Sequence, residues 1–153
     1  MEKNYPISKL KNLGFVNIYN QTYFHATTNQ EIYNLKSECN YFSILCVGSG
    51  QVGSDLMDVV ACGNCLEIIK ETNLNEPRKV DTAWWYFTST YSFGFAPTST
   101  IFQNEGDLGD PADDLRLSWH VGFGFGGYRS GSKIDLNYDT ANLKYAFLKK
   151  KAE

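Results

Sequence analysis

The side chains best suited to chemistry gather between residues 83 and 131. All three tryptophans lie there, Trp84, Trp85 and Trp119, with Tyr86, Tyr91, Phe93, Phe95, Phe123, Phe125 and Tyr128. Arg116, Arg129 and one of the two histidines, His120, sit among them. A sugar ring has an apolar face that stacks on aromatic rings, and hydroxyls that bond to Asp, Asn, Arg or His. The mixture therefore points to a non-catalytic, lectin-like module that binds carbohydrate or glycoprotein. Its expected ligand-binding residues are Trp84, Asp107, Asp110, Arg116, His120, Tyr128 and Arg129. Aromatics and Arg are also enriched at interface centres, so a structural subunit that self-associates through this surface is the rival expectation.

An acidic turn separates the two aromatic halves. It runs from Asn104 through Glu105 and Gly106 to Asp107, Asp110, Asp113 and Asp114. Four carboxylates with backbone carbonyls are the ligand type that calcium requires, about six to eight oxygens in all. Those four Asp residues are the candidate calcium ligands, although the spacing lacks the alternate-position pattern and closing Glu of an EF-hand. The competing reading is a solvated loop with a turn at Asp110-Pro111.

Cys62-x-x-Cys65 has the spacing of half a zinc site or of a redox dithiol. Cys39 and Cys46 are too far apart to supply an ordinary second half, and Cys46 falls in an apolar run. A zinc-stabilised or redox module is the third function class. Four cysteines also allow three disulfide pairings in an oxidising compartment. Gly122, Gly124 and Gly127 complete a formal G-x-G-x-x-G, but no helix pattern follows, so close packing beneath aromatics is the expected use of these glycines. His120 with Ser118 or Ser130 and Asp113 or Asp114 would make a hydrolytic triad. No nucleophile elbow supports it, and the chain is expected not to be an enzyme.

The elements that must position these residues are mostly strands. Residues 15–24 begin with period-two alternation. Thr28 and Glu31 form a capping-box pattern, and Ile32, Leu35 and Cys39 follow at helical spacing, predicting one short helix over 29–38. Further strands are expected at 41–47, 56–61, 66–72, 82–89, 91–96, 115–121 and 143–148, and 126–131 reads as a short strand or a wide turn. Cys62-Gly63-Asn64-Cys65 reads as a tight hairpin turn, and 73–79 and 103–114 as loops. Adjacent Trp84 and Trp85 must face opposite sides of a strand, as must Trp119 and His120. About eight strands with closely spaced turn signals predict a two-layer antiparallel β-sandwich in a single domain spanning 1–153.

Composition sets the outer bounds. The 153 residues are 20% charged and 15% aromatic, which is enough to form a core. A net charge of −3 gives no basic face for nucleic acid, and Lys149-Lys150-Lys151 reads as a solvated run. No apolar run reaches membrane-spanning length. The first residues do not read as a secretory signal, so the expected location is cytoplasmic, or extracellular by processing not visible in the chain. On that reading Asn20-Gln21-Thr22, a formal glycosylation acceptor, is a chance match.

Overall fold

The computed structural model describes residues 1–102, 107–122 and 124–151. The described chain forms ten strands and three short helices. They are β1 (Glu2–Pro6), α1 (Ile7–Asn12), β2 (Val16–Thr22), α2 (Asn29–Glu38), β3 (Ile44–Gln51), β4 (Leu56–Asn64) and α3 (Cys65–Ile68), followed by β5 (Arg78–Val80), β6 (Ala83–Phe87), β7 (Ser92–Ala96), β8 (Leu117–His120), β9 (Arg129–Ser130) and β10 (Asn142–Lys149). One sheet has the order β1-β4-β3-β10-β2 and the other β5-β6-β7-β8-β9. Every ladder between named strands is antiparallel.

The two sheets share one core, as a sandwich requires. Leu45, Val47, Val59, Ala61, Ala146 and Leu148 of the first sheet pack in one cluster with Trp85, Phe87, Phe93, Phe95, Leu117 and Trp119 of the second. Strand alternation produces this: Trp85 points inward, while Trp84 faces the other way and is half-buried. Tyr145 and Phe147 point out of the first sheet, where Ile7 and Leu10 of α1 cover them. On the outside of the second sheet, Tyr86, Ala96 and Ile101 form a smaller cluster.

The helix α2 forms where the capping box predicts. Thr28 Oγ1 accepts from the Glu31 amide at 3.1 Å, and the Glu31 carboxylate accepts from the Thr28 amide at 3.4 Å. Ile32 and Leu35 are buried. The region 62–72 differs from expectation. There is no hairpin at Cys62–Cys65, because β4 runs through Asn64 and α3 starts at once. The Asn64 side chain accepts from the Glu67 amide at 3.1 Å, so the Gly-Asn pair ends a strand and caps a helix rather than turning a hairpin. The sequence also concealed β1, a charged edge strand without alternation that pairs with β4. Among the described residues, no helix is long and apolar enough to cross a membrane.

Candidate functional site

Lys144 is the unexpected residue at the centre of the candidate site. Alternation in β10 puts it on the same inward face as Ala146 and Leu148. A buried ammonium must be paired or fully hydrogen-bonded. Lys144 Nζ donates to the carbonyls of His25 at 2.7 Å and Gly126 at 2.9 Å, and also to Thr27 Oγ1. It lies 5.8 Å from the centre of the Trp119 ring. Burial pulls its pKa down to about 7, with the Glu31 charge opposing. Thr27 Oγ1 continues the network to Tyr19 Oη at 2.9 Å, and Tyr19 donates to Glu31 at 2.7 Å. Glu31 also meets His25 Nε2 at 2.7 Å.

The carbonyls that Lys144 holds belong to His25 and Gly126, the neighbours of Phe24 and Phe125. The two loops approach so closely that only glycine fits at 126 and 127. A Cβ on Gly126 would lie 1.9 Å from the His25 carbonyl oxygen and 2.1 Å from that of Tyr23. One on Gly127 would lie 2.1 Å from the Tyr23 ring. The Phe24 amide donates to Asp139 O at 2.8 Å and the Gly126 amide to Asn137 O at 3.3 Å, which ties the Tyr138 segment to both loops.

These constraints place three aromatic rings in a row at the surface. Tyr138 stands edge-to-face with Phe24 and with Phe125, each at 6.1 Å between centroids. Phe24 is 54% exposed and Tyr138 67%. His120 packs against Phe125 at 4.8 Å and against Tyr128 at 6.2 Å. Both His120 and Tyr128 are buried. Burial lowers the His120 pKa to about 4, against the pull of a hydrogen bond with the Tyr91 backbone, so its ring is neutral at pH 7.

Of the seven residues expected to bind ligand, only His120 and Tyr128 lie against this platform, at its foot, while Phe125 from the same aromatic stretch supplies one of its rings. The polar patch expected from Arg116, His120 and Arg129 is not an exposed one, because all three are buried. Arg129 uses its five guanidinium donors on backbone carbonyls: Gly131 from Nε, Asp107 and Gly109 from Nη1, Asp110 and Asp113 from Nη2. Arg116 donates to the carboxylates of Asp107 and Asp113, to Thr100 O and to Thr98 Oγ1. The two arginines thus anchor residues 107–113. Burial raises the Asp107 pKa, while Arg116 and Arg129 draw it back.

The four candidate calcium ligands do not converge. Asp107 and Asp113 bond to Arg116, Asp114 pairs with Lys3 at 2.9 Å, and Asp110 is exposed. Among the described residues, no three His, Cys, Asp or Glu side chains are placed to hold a metal ion. The expectations attached to Asn104, Glu105, Gly106 and Phe123 lie outside the described residues. Of the residues of the hydrolytic constellation, Ser130 Oγ bonds to Asp58 at 2.8 Å and to Ser49 Oγ, Asp113 is held by Arg116 and Asp114 by Lys3. Asp58 in turn receives Lys133 at 3.1 Å, so this cluster ties the two sheets together. Cys62 and Cys65 belong to separate disulfides, Cys46–Cys62 and Cys39–Cys65. That corrects the zinc and dithiol reading, because the pair has neither free thiolates nor a bond of its own.

A cleft of about 420 Å³ runs between β2 and α2, lined by Ile18, Tyr19, Glu31, Asn34, Leu35 and Glu38. Its carboxylates are already matched, Glu31 as above and Glu38 by Lys150 at 3.5 Å. Compared with known proteins, the chain matches no family model, no curated protein and no solved structure.

Proposed function

We propose that this domain is a non-catalytic recognition module that binds carbohydrate by stacking on the Phe24–Tyr138–Phe125 platform. The observation that carries the reading is the exposure of two of these rings on loops fixed from below by Lys144. A contiguous cluster of exposed aromatics calls for a reason, and rigid ones lose little entropy when a ligand covers them. Sugars supply the complementary apolar faces, and the exposed Asp135 stands close in sequence to receive hydroxyls. The two disulfides fit work outside the cytosol, where glycans are displayed. Self-association is the second reading, favoured by the same exposed rings.

Glycan-array binding of the purified protein tests the proposal. Presenting the protein on the array as a linked tetramer raises apparent affinity by roughly 10²–10⁴, so weak single sites register. The expected result is binding to one coherent glycan class. That binding should survive EDTA, because Asp107 and Asp113 are committed to Arg116 and Asp114 to Lys3. Absence of binding together with a dimer in light scattering would favour self-association instead.

A further inference from the structure

Asn20-Gln21-Thr22 is the only Asn-x-Ser/Thr sequence without Pro at its centre among the thirteen asparagines of the chain. The motif needs a side-chain amide at the surface, a hydroxyl two residues on, and passage through a compartment where glycans are attached. The fold satisfies the first two. Asn20 lies on β2, the outermost strand of its sheet, and is exposed. It pairs across to Tyr145, on the face of the sheet away from the shared core. The cysteines supply the third condition: all four are paired, in two disulfides. Disulfides form and persist in oxidising compartments such as the endoplasmic reticulum lumen, and reducing cytosol does not sustain them. Motif, exposure and paired cysteines are independent features, and together they argue against the chance-match reading.

We infer that Asn20 is an N-glycosylation site and that its glycan shields the open edge of β2. In the transfer, the Asn20 amide nitrogen attacks the anomeric carbon of a lipid diphosphate-linked oligosaccharide. A carbon–nitrogen bond forms, the sugar–phosphate bond breaks, the lipid diphosphate leaves and the amide proton passes to a base of the transferase. The backbone of β2 pairs with β10 on one side only, so a bulky glycan at this edge costs no ladder hydrogen bond. Shielded edges resist pairing with other chains.

The test is intact-mass analysis of the full chain directed through the secretory pathway of a eukaryotic cell, on retained and secreted molecules alike. The expected result is one added oligosaccharide on most chains, removed by peptide:N-glycosidase with conversion of the Asn20 amide to the acid. N20Q and T22A should each abolish the addition, and T22S should keep it. Disulfide-bonded wild-type chains that carry an unmodified Asn20 would overturn the proposal, as would an added glycan that persists in both N20Q and T22A.

Discussion

Arg129 is buried, and its guanidinium is fully occupied within the fold. All five donors that a ligand could use are taken by carbonyls within residues 107–131. Lysine has three donors and no planar fork, so R129K leaves buried carbonyls unpaired. We expect R129K to lose about 3 kcal/mol of stability in urea unfolding. The exposed Lys3–Asp114 pair should behave differently, with K3A changing stability by less than about 1 kcal/mol. His120 predicts a pH dependence. The unfolded chain protonates this histidine near 6.5 and the fold resists until about 4. Its contribution is therefore complete above pH 6.5 and is lost as pH falls toward 4, by on the order of 3 kcal/mol. Denaturation midpoints measured across that window check it, and H120N should flatten the slope. Local sequence displays the donors of Arg116 and Arg129 but not their partners, which lie up to 22 residues away. Lys144 escaped notice for a related reason: one lysine in an apolar strand reads as an outward-facing residue.

Among the elements, those encoded by local contacts were the legible ones. The capping box and the spacing of Ile32 and Leu35 place α2 from sequence. T28A removes one half of that box and should cost about 1 kcal/mol. The stretch 62–68 misled because a Gly-Asn centre suits both a hairpin and a helix cap, and the choice rests on Asn64 reaching the Glu67 amide. The platform loops depend on a contact no local pattern reveals, the seating of Gly126 against the carbonyls of Tyr23 and His25. G126A must push these loops apart, so we expect a loss of at least about 2 kcal/mol together with loss of glycan binding. Calorimetry and the array together read both effects.

For the whole molecule, sandwich architecture was readable because inward and outward residues alternate along most strands. Strand order was not, because β2 and β10, which pair, lie near opposite ends of the chain. Disulfide pairing was open because four cysteines allow three connectivities, and the fold resolves it as Cys39–Cys65 and Cys46–Cys62. These bridges span sequence separations of 26 and 16 residues, so reduction should cost about 2–4 kcal/mol per bridge and lower Tm. The aromatic platform is the proposed ligand surface, and the most direct measurement is glycan-array binding of wild type beside F24A/Y138A. Both substituted rings are exposed, so the variant should keep the wild-type circular dichroism spectrum. Wild type should bind one glycan class, and the folded variant should lose at least tenfold in apparent affinity. A folded variant that binds the same glycans as tightly as wild type would contradict this proposal.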